Sequence, residues 1–305
     1  MIPVTTPINT STMPRAAGPA AHTTAVPRIP SVTRSVGSGN EAASKRRGTF
    51  SGSSGFVSLV AAEAIKLKRS SVWAVTILLP LLAVITGSLN FKMNREAFLQ
   101  GWVSLTSQMT LFYAMMFCSL GVALLASTVW RVEHRGTSWN AMRTTPHTPA
   151  AVALAKTLVL FAPLLVMQVI LVVLAWISGT FFMGLGPAMP MSFTVSALLG
   201  VLAAAPLVAV QSLLSMLMRS FAAPVAVAFL GCVAGFGLAV AQSPLAYVIP
   251  QGILNMTLVL GSSASSVAGS FDAASMLPLL AATVGVGAVL WGLLIVVTRR
   301  TGGVR

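Results

Sequence analysis

Thr157-Leu-Val-Leu-Phe161-Ala-Pro163-Leu-Leu-Val-Met-Gln168-Val-Ile-Leu-Val-Val-Leu-Ala-Trp176-Ile177 is the stretch that decides the fold. It carries no charged residue over a length of about 20 residues, enough at ~1.5 Å per residue for a helix to cover the ~30 Å of hydrocarbon in a bilayer. The rest of the chain repeats the pattern. Of its 305 residues, 56% are hydrophobic and only 8% charged, and the mean hydropathy is +0.88. A soluble domain carries roughly 25% charged residues, so the composition is that of an integral membrane protein.

Six apolar spans are expected, at Val72–Leu89, Leu105–Val129, Ala151–Ile177, Phe193–Met218, Ala222–Ala241 and Met276–Thr298. Because hydrocarbon offers no partner to backbone N–H and C=O groups, each must be a helix. The predicted fold class is an all-α integral membrane protein of six transmembrane helices. Proline falls within five spans, at Pro80, Pro163, Pro206, Pro224 and Pro278, and a kink is expected at each. Such kinks serve either as gating hinges or as ordinary membrane-helix irregularities.

Charge distribution orients the bundle. With the N-terminus in the cytoplasm, 17 of the 19 Lys and Arg lie on the inside and only Lys92 and Arg95 outside. Cytoplasmic loops are enriched in these residues, so both termini are expected in the cytoplasm. The net charge of +14 follows from this clustering at span ends. It points to anionic lipid headgroups as partners and away from nucleic acid. Cys118 and Cys232 both sit in apolar spans, which argues against a disulfide framework and against metal ligation.

Residues 1–55 differ from the rest. They are rich in Ser, Thr, Pro, Ala and Gly, hold six basic residues and one acid, and lack periodicity, so a disordered basic tail is expected ahead of a six-span transmembrane domain over 56–300. The composition suits either a transit peptide or a cytoplasmic tail.

Two polar stretches interrupt the hydrocarbon pattern. The first is Phe56-Val-Ser-Leu-Val-Ala-Ala-Glu63-Ala-Ile-Lys66-Leu-Lys68-Arg69-Ser-Ser-Val-Trp73. Phe56, Val57, Leu59, Val60, Ala64 and Leu67 share one helical face, as an interfacial helix requires. Glu63 lies inside that apolar arc and needs a cation: Lys66 at i+3, another base of this chain, or one of a partner.

The second stretch is Arg131-Val-Glu133-His134-Arg135-Gly-Thr-Ser-Trp139-Asn-Ala-Met-Arg143-Thr-Thr-Pro146. Thr137 can cap a short amphipathic helix carrying Trp139 and Met142, which the prolines at 146 and 149 terminate. A solvated basic loop with a tryptophan anchor is the plainer alternative.

These two stretches, Glu63-x-x-Lys66-x-Lys68-Arg69-x3-Trp73 and Glu133-His134 leading to Trp139, Pro146 and Lys156, resemble the permease subunits of ABC-2-like exporters. The resemblance is to the branch associated with lantibiotic and bacteriocin self-immunity. It covers residues 56–300 in layout and implies an elbow helix at 56–71 built on Glu63, Lys66, Lys68, Arg69 and Trp73. It also implies a coupling helix that docks on a cytoplasmic ABC ATPase through Glu133, His134, Arg135, Trp139 and Arg143, and an external re-entrant or short helical element within 242–275. A second permease copy or paralogue, membrane lipids as surroundings and a bacterial plasma-membrane location belong to the same implication.

The chain contains no GxxxxGK[ST] phosphate loop and no HExxH, so neither ATP hydrolysis nor zinc chemistry is expected of it, and no cofactor. Charged residues are nearly absent from mid-span positions, which disfavours ion-coupled transport and leaves energy supply to a partner. The expected function is therefore the membrane subunit of an ATP-driven exporter of an amphiphilic cargo such as an antimicrobial peptide or antibiotic. The alternative is a membrane scaffold or sensor that transports nothing. Gly231-x3-Gly235 reads as a close-packing motif, either between subunits or within one.

Overall fold

The computed structural model describes residues 52–68, 70–134, 147–263 and 269–303, and no strand occurs among them. An elbow helix α1 (Gly52–Leu67) precedes span one, α2 (Val72–Met93). Span two, α3 (Trp102–Arg131), contains a π-helical turn at Tyr113–Phe117. Span three runs from Pro149 to Phe182 and consists of α4 (Pro149–Leu158), α5 (Phe161–Ile177) and a closing π-turn. Span four is a bent pair, α6 (Met191–Ala203) and α7 (Ala205–Leu217), meeting at 42°. Span five is α8 (Ala222–Val240). A buried short helix α9 (Pro250–Leu258) follows, and α10 (Ala273–Gly303) is span six.

Among the described residues five helices are each long and apolar enough to cross a membrane, six if the bent pair is counted as one span. The apolar cores lie within a few residues of their expected positions. The helices overrun them because amphipathic end turns continue the backbone hydrogen bonding into the interface. α1 begins at Gly52, four residues inside the stretch expected to be disordered; the remainder of that tail, residues 1–51, lies outside the described residues. The re-entrant or short helical element expected within 242–275 is the short helix α9 with a preceding 3-10 turn at Pro244–Tyr247.

Of the five expected kinks, two coincide with breaks: span four bends by 42° just before Pro206 and span three is interrupted just before Pro163. Helix α2 continues through Pro80 and α10 through Pro278. Pro163, Pro206 and Pro224 instead lie in the first turn of α5, α7 and α8. There a missing N–H costs nothing, because first-turn donors have no intrahelical acceptor anyway. The interruptions fall just upstream, at the turn Val159–Leu160 and at Ala204.

The glycine motif of span five packs within the chain. A Cβ at Gly231 would collide with the Gln251 side chain, and one at Gly235 would meet the Gly252 backbone nitrogen at 2.7 Å. The two glycines thus form the groove that receives α9. A second close approach occurs between spans one and two, where a Cβ at Gly87 would lie 2.5 Å from Met109 Cα.

We call the end of the bundle that receives α1 the proximal end. The main apolar core, with Phe91, Leu105, Tyr113, Leu164, Leu207 and Leu254 among its members, fills the bundle. A separate small cluster of Trp130, Ala153, Leu213, Met216 and Leu294 joins spans two, three, four and six towards the proximal end.

Candidate functional site

Local rules set up the proximal end. Thr148 accepts the Ala151 N–H at 3.2 Å as N-cap, and Pro149 supplies the preset first helical residue, so α4 starts there. Lys156 then falls two turns into the helix. Span two closes with a tightened turn, Glu133 N–H to Trp130 O at 3.0 Å, that presents Glu133 and His134 at its tip. In α1, Phe56, Leu59, Val60, Glu63 and Leu67 form the partly or fully buried face. Val57 and Ala64, expected on that face, are exposed, because the buried arc is centred one position away from them.

These elements meet on one lysine. Lys156, 1% exposed, places Nζ 2.7 Å from Glu63 Oε2 and 2.7 Å from Glu133 Oε1. Glu63 and Glu133 are themselves only 5% and 6% exposed. The other Glu63 oxygen takes Lys66 at 2.6 Å, in the i,i+3 contact. An ammonium withdrawn from water this completely needs opposite charge and hydrogen bonds around it, and here two carboxylates from distant parts of the chain provide them.

Three further contacts tie the neighbouring elements together. His134 Nε2 lies 2.8 Å from Ser215 O in the last turn of α7. A carbonyl only accepts, so Nε2 carries the proton, and the imidazole caps one of the carbonyls that a helix end leaves without a partner. The Arg131 guanidinium sits over the Phe221 ring at 5.4 Å, joining span two to the link between spans four and five. Trp73 donates its indole N–H to Leu67 O at 3.0 Å, fixing the end of the elbow helix to the start of span one.

Arg131, Glu133 and His134 are therefore a hub. They stand at the root of the 135–146 segment and reach the elbow, span three, span four and the link to span five. Of the residues expected to face an ATPase, Glu133 and His134 turn inward, their polar atoms held by Lys156 and Ser215. The burial that Lys156 demands explains the inward turn. Arg135, Trp139 and Arg143, with the expected coupling helix, lie outside the described residues, as does Arg69 of the elbow. Lys66 and Lys68 are exposed, and Trp73 is half-buried.

Lys156 is the residue that site reasoning passed over. Its signal was present: a lysine inside an apolar span needs an acid, and the chain has only five Asp and Glu in all. Among the described residues no group of three His, Cys, Asp or Glu is arranged to hold a metal ion.

A family model described as ABC-2 family transporter protein matches residues 59–235. The chain belongs to this family. The match begins in the elbow helix and ends in span five, so the whole hub lies inside it. The protein is thus a multi-pass cell-membrane protein and a permease-type subunit of an ABC transporter, a kind of subunit that associates with an ABC ATPase. No curated protein and no solved structure gives a match.

Proposed function

We propose that this ABC-2 protein is the permease of an ATP-driven exporter, with the hub at Lys156 as the point where force from the ATPase enters the membrane. The proximal end is cytoplasmic in this reading, as the distribution of Lys and Arg supports. The ATPase grips the 135–146 segment through Arg135, Trp139 and Arg143. Nucleotide-driven movement of that segment passes through Glu133 to Lys156 and Glu63, and through His134 to the end of span four. The observation that carries the reading is the convergence of three elements, distant in sequence, on one buried ammonium. Such a junction transmits displacement in both directions, because ion pairs fix direction and distance together.

The cargo is amphiphilic, an antimicrobial peptide or antibiotic, moved outward by two permease subunits with two ATPases. The apolar, nearly charge-free spans support a lipid-like route, and the resemblance to the bacteriocin-immunity branch supports the cargo class. Residues 1–51 form a basic tail ahead of the permease domain in this arrangement.

The test begins with purification of the full chain from its native host in mild detergent. A phosphate-loop ATPase is expected to co-purify with wild type and to be lost from Trp139→Asp. The triple variant Lys156→Met/Glu63→Gln/Glu133→Gln keeps the fold and the ATPase. It is expected to lose at least tenfold of the host's tolerance to amphiphilic antimicrobial peptides. Absence of any ATPase, under conditions where a known ABC complex survives, refutes the reading.

A further inference from the structure

Spans three and four are each interrupted, at Val159–Leu160 and at Ala204. Both interruptions lie roughly ten residues from the proximal end of their span. Pro163 has no N–H to offer Val159 O, which instead accepts from Ala162 at 3.4 Å. Pro206 likewise leaves Leu202 O without its helical donor, and the two halves of span four diverge by 42° there. Two neighbouring spans thus carry joints at one level of the bundle.

One side chain touches both. Trp291 of α10 stacks on Phe161, the first residue of α5, with centroids 6.4 Å apart and planes 20° from parallel. Its indole N–H donates to the carbonyl of Ala205, the first residue of α7, at 3.1 Å. Trp291 also packs against the proximal cluster of Trp130, Ala153, Leu213, Met216 and Leu294. That cluster unites the proximal parts of spans two, three, four and six below the joints. Residue 291 lies outside the stretch that matches the family model.

We propose that Trp291 is a positioning residue for transport, the pin that ties the joint of span three to the joint of span four by holding the first residue of α5 to the first residue of α7. The inference rests on the reading above in that force arrives at the proximal end. A stacked ring restrains sideways displacement of α5, and the N–H···O bond restrains the bend of span four. With both contacts on one rigid bicycle, rotation at one joint is transferred to the other. An indole is the side chain that offers both in hydrocarbon, a broad apolar face and one donor.

The experiment uses the full chain in lipid nanodiscs, without the ATPase, in a Cys118→Ala/Cys232→Ala background. Spin labels are placed at Met191→Cys and Leu217→Cys, the two ends of span four, which are 75% and 52% exposed. Two 13-residue helices meeting at 42° put these ends about 36 Å apart, within reach of pulsed electron paramagnetic resonance. Trp291→Leu is expected to widen the distance distribution at least twofold. Trp291→Phe, which keeps the stack and loses the donor, should widen it by less. A control pair at Ser220→Cys and Val240→Cys, flanking the uninterrupted span five, should not widen.

Unchanged width across span four in Trp291→Leu overturns the proposal, and so does equal widening in the control pair. If Trp291→Leu does not fold, Trp291→Phe decides alone: widening across span four supports the pin and none refutes it. Because no ATPase takes part, failure here is separate from failure of the exporter reading, which the co-purification tests.

Discussion

Replacing Lys156 with methionine removes the one cation shared by Glu63 and Glu133 while keeping the length of its side chain. Each carboxylate oxygen lies 2.7 Å from Nζ, so the two are at most 5.4 Å apart. At an effective dielectric of about 20, two unit charges at that distance repel by roughly 3 kcal/mol. Lys66 partly compensates Glu63, although at 57% exposure its field is screened, and Glu133 loses its ion-pair partner. Adding the desolvation left unbalanced, the single substitution should cost about 3–5 kcal/mol. For a folded unit of this size that is a fall in Tm of roughly 6–20 °C.

The assay is thermal unfolding in nanodiscs, followed by the fluorescence of the chain's six tryptophans. The decisive comparison is with Lys156→Met/Glu63→Gln/Glu133→Gln, which removes all three charges together. Exchanging a whole buried ionic group for neutral residues is often close to neutral in stability, so most of the lost Tm should return. A shift under 2 °C in the single variant, or no recovery in the triple, would mean that the three side chains are not held together out of water.

Two neighbouring substitutions separate burial from mere contact. Lys66→Gln breaks an ion pair of similar length, at 2.6 Å, but one whose cation is exposed and whose acid keeps Lys156, and should cost only about 0.2–1 kcal/mol in the same unfolding assay; a loss equal to that of Lys156→Met would contradict the assignment. Gly235→Ala drives a methyl to within 2.7 Å of the Gly252 backbone and should lose about 1–3 kcal/mol, as overpacked sites do. Gly237→Ala, two residues along the same helix and facing open space, should lose nothing.

How much of this was legible beforehand depended on the range of the force involved. The spans could be read because hydrocarbon imposes one rule on every residue inside it, and Thr157–Ile177 obeys that rule without help from the rest of the chain. The elbow helix could be read for the same reason, and the misfit of Glu63 in its apolar arc marked a missing cation. Which cation it was could not be read locally. Lys156 stands 93 positions away, and at the end of a span it passes for one more basic residue near the interface. Only packing of α1 on α4 distinguishes it from Lys68, which has a similar sequence setting and remains exposed.

The prolines were legible as break markers at only two of the five positions: Pro163 and Pro206 stand just after the breaks of spans three and four, whereas α2 and α10 continue through Pro80 and Pro278 and Pro224 opens span five. His134 was placed by its neighbourhood in a basic loop, whereas its bond is to a carbonyl of span four. A carbonyl leaves no trace in side-chain sequence.

The ionic character of the hub has a physical rationale that stability alone does not supply. Apolar residues of the same volume at positions 63, 133 and 156 would hold the three elements together about as strongly. They would fix partner and direction less sharply, because the burial of aliphatic side chains is non-directional. An ammonium between two carboxylates at 2.7 Å has one geometry, and displacing any partner exposes charge to a medium that cannot solvate it. A junction that must hand a small displacement from a loop to a membrane helix without slippage benefits from that steepness. The triple neutral variant should therefore unfold near the wild-type temperature and still fail in transport, which separates holding the elements together from moving them together.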